Sequence, residues 1–376
     1  MIPFNVPAVT GQELENLEEV LRNKNRCGDG SFTEQCSCWF EENYAAKKAL
    51  LTTSCTHALE MTALLINISP GDEVIMPSYT FVSTANAFIL RGATVVFIDV
   101  DRETMNMDVT LLDKAVTEKT KAIVPVHYAG IACDMDRILE FSRKRNIAVI
   151  EDAAQGFNAR YNGKLLGSMG TFGCISFHDT KNISCGEGGI LLINDQSYIE
   201  RAKIIREKGT NRSQFMLGMV DKYTWVDIGS SYLPSEFNAA VLWSQIQYRE
   251  TIHKSRMQIW EEYYSQLSGL SESGKMQVMK VPENREHNAH MFYIKAEDIN
   301  QRTRLIEFLK ARGIAGVFHY IPLHSSPFGK KHSRFISNGT DITTSESERL
   351  LRLPLWYGMS IGQIESVCNA VKDFYK

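Results

Sequence analysis

The chain has 376 residues, 44% of them apolar and 23% charged, a length and balance suited to a globular protein of two domains with a large core. Its net charge of −3 gives no overall field for nucleic acid or an anionic membrane, so an anionic ligand must be held by local amides and a few placed cations. No apolar run approaches the length of a membrane span, and Met1-Ile2-Pro3-Phe4-Asn5 lacks the charged start of a signal peptide. The cysteines (Cys27, Cys36, Cys38, Cys55, Cys133, Cys174, Cys185 and Cys368) show no C-x-x-C spacing. They read as reduced thiols of a cytoplasmic protein, with no metal site and no disulfide frame.

In chain order, Leu14, Leu17, Val20 and Leu21 lie on one face of a helix over 11–24, and a second helix covers 33–44. Between them Cys27-Gly28-Asp29-Gly30 breaks the chain; without a third glycine or a preceding strand it is no dinucleotide fingerprint, which disfavours a nicotinamide oxidoreductase. A short strand over 48–51 runs into Thr52-Thr53-Ser54-Cys55-Thr56 and a helix. Small hydroxyl residues at a strand-to-helix junction serve as helix caps, and equally as a phosphate cradle of free N–H groups and hydroxyls. Strands over 72–77, 94–99, 121–126 and 147–152 alternate with helices, among them 135–144, at the spacing of β-α-β units. This predicts a largely parallel sheet with helices on both faces and ligands at the C-terminal strand ends, where Phe81, His127, Asp152 and Gln155 fall.

Residues 171–175 and 190–193 read as two buried strands, and Lys181 lies on the glycine-rich connection between them. A lysine held there is expected to have a depressed pKa and to form a Schiff base with a carbonyl. Further on, 199–207 is helical, 223–232 is irregular and aromatic, and a helical pattern from Ser235 to about Leu267 is long enough to bridge two domains. The remainder reads as strands near 291–295 and 314–320, helices near 301–312 and 361–374, and a loop over 322–344. The expected division is 1–245, a large α/β domain, and 246–376, a smaller α+β domain.

Four pieces have complementary chemistry. The hydroxyl-rich helix start suits a phosphate, Phe81 a flat ring, Asp152 a protonated ring nitrogen and Lys181 an aldehyde. Each alone has a blander use as a cap, a core aromatic, a turn former or a solvated amine. Together, on one sheet edge, they describe pyridoxal 5'-phosphate (PLP).

At Pro77-Ser78-Tyr79-Thr80-Phe81-Val82-Ser83-Thr84, Val149-Ile150-Glu151-Asp152-Ala153-Ala154-Gln155, Ser176-Phe177-His178-Asp179-Thr180-Lys181-Asn182 and Gly186-Glu187-Gly188-Gly189, the sequence resembles the DegT/DnrJ/EryC1/StrS sugar aminotransferases, which have PLP fold type I, the aspartate aminotransferase fold. The resemblance covers nearly the whole chain. It implies Lys181 as the cofactor-bearing catalytic amine and Asp152 at the pyridine nitrogen. It places Gln155 at the phenolic oxygen side, Phe81 stacked on the ring, and Cys55, Thr56 and Ser176 at the phosphate. Ser231 stands where many relatives carry an asparagine that reaches the phosphate of a partner subunit, so a homodimer with shared sites is implied. Gly209-Thr210-Asn211-Arg212-Ser213, Asp227-Ile228-Gly229-Ser230-Ser231-Tyr232 and Phe318-His319-Tyr320-Ile321-Pro322-Leu323-His324 resemble members that act at C4 of a dTDP-linked 4-keto-6-deoxyhexose in enterobacterial cell-surface polysaccharide synthesis. Glutamate is the donor the family implies, and Arg212, Trp225, His319 and Tyr320 are the candidate nucleotide-sugar contacts. A regulator that binds PLP without turnover would carry an added nucleic-acid-binding module, and no such pattern is visible.

Overall fold

The computed structural model describes residues 1–376. Its centre is an eight-stranded sheet in the order Lys48–Thr52, Gly189–Ile193, Phe172–Ser176, Ala148–Asp152, Thr120–Ile123, Glu73–Pro77, Thr94–Ile98, Ser333–Ile336. Seven strands run in one direction and only Gly189–Ile193 is reversed. Strands buried on both faces read as continuous apolar runs, as in Val74-Ile75-Met76 and Val95-Val96-Phe97-Ile98. Alternate residues enter two separate cores. Leu51, Ile75 and Val96 join one that holds Phe32, Phe40 and Ile138 from helices, and Leu50, Val74 and Val95 join another that holds Ala58, Phe88 and Ile205. Helices therefore cover both faces, and the expected fold type I architecture is what the chain adopts.

A third core gathers Phe292, Tyr293 and Ile294, Leu350, Leu351 and Leu353, and the helices Arg249–Glu272, Ile299–Ala311 and Ile361–Phe374. Tyr79, Met105 and Tyr128 from the first half also enter it. No helix is long and apolar enough to cross a membrane.

Three sequence-based expectations need correction. The helix expected from Ser235 to Leu267 is two helices, Glu236–Gln247 and Arg249–Glu272, which meet at Tyr248 with φ −96° and ψ 6°. Each half satisfies helical periodicity alone, so the break left no mark in the pattern. The strand expected over 314–320 is not formed; only Ile314 and Val317 make isolated bridges, to Ile2 and Arg352. The stretch 322–344, expected as loop, contains the strand Ser333–Ile336, which pairs in parallel with Thr94–Ile98 as the edge of the large sheet. Four half-buried residues bounded by Lys331-His332 and Asn338-Gly339 are too short to declare themselves by periodicity.

Candidate active site

The C-terminal ends of the parallel strands open into a cavity of about 740 Å³ that also touches the third core. Its wall includes Cys55, Thr56, Phe81, Asp152, Gln155, Ser176, Lys181, His319 and Tyr320, so nine of the residues singled out from the sequence meet at one place. Ser54 caps the helix Cys55–Leu65 by accepting the His57 amide. The Cys55 and Thr56 amides have no acceptor within the chain, and the helix dipole adds partial positive charge at that point. Gly189 makes the arrangement possible: a Cβ there would lie 2.3 Å from the Cys55 nitrogen. The Cys55 thiol is pushed up well above its ordinary pKa by burial, which makes it a poor nucleophile, and what Cys55 offers the cavity is its free backbone amide.

Asp152 closes the strand Ala148–Asp152. It accepts the Thr84 hydroxyl (2.7 Å) and the Ala154 amide (3.1 Å). Burial nevertheless raises its pKa, against the pull of those donors and of Lys181; a buried carboxylate of this kind calls for a cationic partner. Its neighbour Glu151 points to the opposite side of the sheet, as strand alternation requires. There it accepts the Gly167, Met169 and Gly170 amides and pairs with His127 Nε2 at 3.0 Å. His127 accepts the Cys133 amide at Nδ1, which fixes Nε2 as the protonated nitrogen. His127 thus stands behind the site, holding the strand end through its own amide to the Asp152 carbonyl.

The Lys181 ammonium has its pKa lowered by burial, opposed by Cys55 and Asp152 and reinforced by Arg352. Lys181 Nζ makes no hydrogen bond or ion pair with any other residue. Gln155 is held at both ends, its Oε1 accepting the Ala129 amide (2.6 Å) and its Nε2 donating to the Tyr320 hydroxyl (3.1 Å). His319 stacks on Tyr320 at 3.6 Å and bonds the Tyr128 hydroxyl through Nδ1. Phe81 faces the cavity with 56% of its surface exposed, an open aromatic face able to take a flat ring.

Three sequence candidates are not in this cavity. Ser231 is exposed and bridges to Glu207; Arg212 is exposed, 3.6 Å from Glu207; Trp225 is 79% exposed and donates to its own neighbour's carbonyl at Asp227. Conversely, the sequence reading missed Thr84, His290 and Arg352, which line the cavity. Arg352 was signalled by a charge inside Leu350-Leu351-Arg352-Leu353. Its guanidinium donates only to the Phe318 carbonyl at 3.3 Å and lies 4.6 Å over the Phe4 ring, with no carboxylate in ion-pair range.

The donor set fits PLP. Unsatisfied amides suit its phosphate, a buried carboxylate its ring nitrogen, and a partnerless amine its aldehyde. The DegT/DnrJ/EryC1/StrS aminotransferase family model matches residues 7–372. An uncharacterized protein of Methanocaldococcus jannaschii is 34% identical over 98% of this chain and 96% of its own length. Among solved structures, the aminotransferase TlmJ of Streptoalloteichus hindustanus superposes with a TM-score of 0.91 at 26% identity, covering 100% of this chain and 98% of its own. Spr1654 of Streptococcus pneumoniae, assigned as a sugar aminotransferase and solved in its PMP form, gives 0.89 at 26% identity over 100% and 99% of the two chains; it has also been solved in a PLP form. The chain therefore belongs to the DegT/DnrJ/EryC1/StrS aminotransferase family and is a PLP-dependent aminotransferase.

Proposed function

We propose that the enzyme transfers the amino group of L-glutamate to C4 of dTDP-4-dehydro-6-deoxy-D-glucose, giving dTDP-4-amino-4,6-dideoxy-D-galactose and 2-oxoglutarate. The observation that carries the chemistry is the partnerless Lys181 amine on the same cavity wall as the buried Asp152. The choice of sugar is supported by the likeness of the 209–213, 227–232 and 318–324 segments to that branch of the family.

In this reading Cys55, Thr56 and Ser176 would hold the cofactor phosphate, Asp152 the ring nitrogen, Gln155 the phenolic oxygen side, and Phe81 the ring face. The cofactor, when bound, supplies an aldehyde that takes up the amino group and an electron sink for the pair left as a C–H bond breaks. Lys181 Nζ, with its pKa lowered by burial, takes the proton from the donor's α-carbon and returns it to C4 of the acceptor. The lysine approaches from one fixed side, so one configuration of the amine results, and the transfer is effectively intramolecular. His319 and Tyr320 would contact the sugar nucleotide. Arg212, Trp225 and Ser231, exposed on one chain, would serve the site of a partner subunit in a cytoplasmic homodimer. We also read the chain as two domains, 1–245 and 246–376, with the cavity between them.

The test is product analysis. Purified protein, glutamate and dTDP-4-dehydro-6-deoxy-D-glucose should give an amine of the expected mass whose proton couplings place the C4 amino group axially. An equatorial amine, or turnover only with another nucleotide sugar, overturns the assignment of substrate and product.

A further inference from the structure

His290 sits on the cavity wall with Lys181, and its surroundings determine which ring nitrogen is free. Asn182 Nδ2 donates to the Asn288 carbonyl at 2.7 Å. A carbonyl only accepts, so the amide of Asn182 is oriented with Oδ1 toward His290, whose Nδ1 lies 2.9 Å away. Oδ1 also only accepts, so the His290 proton is on Nδ1. Nε2 is then a lone pair; it has no partner within the chain and is not sealed away from the cavity.

The ring is held from behind as well. The His290 amide donates to Asn288 Oδ1, Arg256 donates to the Ala289 and His290 carbonyls, and Asn288 donates to the Gln155 and Phe157 carbonyls. Burial, with Lys181, Arg256 and Arg352 as nearby cations, keeps the imidazole well below its ordinary pKa and therefore neutral. The titratable groups close enough to Lys181 to act on it electrostatically, or to be acted on by it, are Asp152, Cys55, Arg352, His290 and His319. The cavity wall thus carries a partnerless amine, Lys181 Nζ, and a ring nitrogen whose tautomer is fixed and which has no protein partner, His290 Nε2.

We propose that His290 is a positioning residue for Lys181: its Nε2 accepts an N–H of the free amine, which turns the amine's own lone pair toward the substrate carbon. The imidazole does not take the proton; it sets where Lys181 Nζ waits between removing and returning it. Asn182 serves this role by fixing the tautomer. The inference rests on the reading of Lys181 as the reactive amine.

The experiment compares holoenzymes carrying His290→Gln, whose Oε1 can stand in for Nε2, and His290→Phe, which keeps the ring and removes the acceptor. An ammonium is a better donor than an amine, so the acceptor raises the Lys181 pKa. His290→Phe is expected to slow single-turnover amino transfer by roughly 100-fold and to move the acid-side inflection of its pH profile, where the Lys181 amine loses its proton and becomes active as a base, down by about one unit. His290→Gln is expected to stay within roughly tenfold of the parent, with substrate KM unchanged in both. Nitrogen NMR of histidine-labelled holoenzyme should show Nδ1 protonated and Nε2 bare. Equal losses in the two variants with an unmoved inflection, or a protonated Nε2, overturn the proposal. Full activity in Lys181→Ala would instead overturn the underlying reading of the site.

Discussion

Lys181 and Asp152 bring opposite charges to one cavity wall. Burial lowers the pKa of the amine from its ordinary value, and the carboxylate is buried where a cation relieves it. Lys181→Ala is expected to lower turnover by about 10³-fold or more while the far-UV spectrum and thermal midpoint stay near the parent's, since Nζ bonds nothing in the fold; steady-state rates beside a melting curve check it. Asp152→Asn keeps the shape and the Thr84 contact but removes the charge. It is expected to weaken cofactor binding by roughly 2–5 kcal/mol, read as cofactor released on dilution; unchanged retention would make Asp152 only a strand terminator. Their place on the cavity wall was legible in the sequence because Asp152 closes one apolar strand and Lys181 lies on the connection after another. His290 and Arg352 were not assigned, because their place in the cavity depends on the third core being folded against the strand ends of the large sheet. Nothing in Ala289-His290-Met291 tells which wall the ring faces.

At the scale of elements, the approach of Gly189–Ile193 to the start of Cys55–Leu65 leaves no room for a side chain at Gly189. Gly189→Ala is expected to push the helix start off its place and weaken cofactor retention by about tenfold or more, with secondary structure unchanged; a cofactor titration beside circular dichroism measures this. The edge strand Ser333–Ile336 is tied to the sheet by Arg334, which bonds Glu73 at 2.9 Å and the Ala115 carbonyl at 2.7 Å. Glu73 is pulled by Thr117 and Arg334 to a pKa below its ordinary value, against the effect of burial. A depressed carboxyl stabilises the fold above its unfolded pKa, and that stability is lost as pH falls through the folded one. Hydrogen exchange at 333–336 is therefore expected to accelerate below about pH 4.5, and Glu73→Gln should produce the same loosening at neutral pH. The β-α-β rhythm of the first half was readable because each strand is a continuous apolar run. The strand at 333–336 was not, because its partner lies more than 230 residues away and its own four residues are half exposed.

For the whole molecule, the exposed run Phe215, Met216, Leu217, Met219, Tyr223 and Trp225 lies on the connection that also carries Arg212 and Ser231. Aromatic and methionine side chains gathered this way are typical of interface cores, and we propose that a second copy covers them. The expected outcome is a dimer by sedimentation, and partial recovery of activity when Lys181→Ala protein exchanges subunits with protein whose 222–232 segment is disabled. A fully active monomer would contradict it. The large sheet also has a history in time. Its eighth strand is encoded some 90 residues after the expected domain boundary at 245, and a ribosome adding about 5–20 residues per second needs roughly 5–20 s to supply it. During that interval the nascent chain presents Thr94–Ile98 as a bare parallel edge, the kind of edge that captures other chains. A fragment ending at 245 keeps that edge permanently, so the first half is a poor candidate for separate expression, and its folding in the cell favours a chaperone that shields the edge until the last strand arrives.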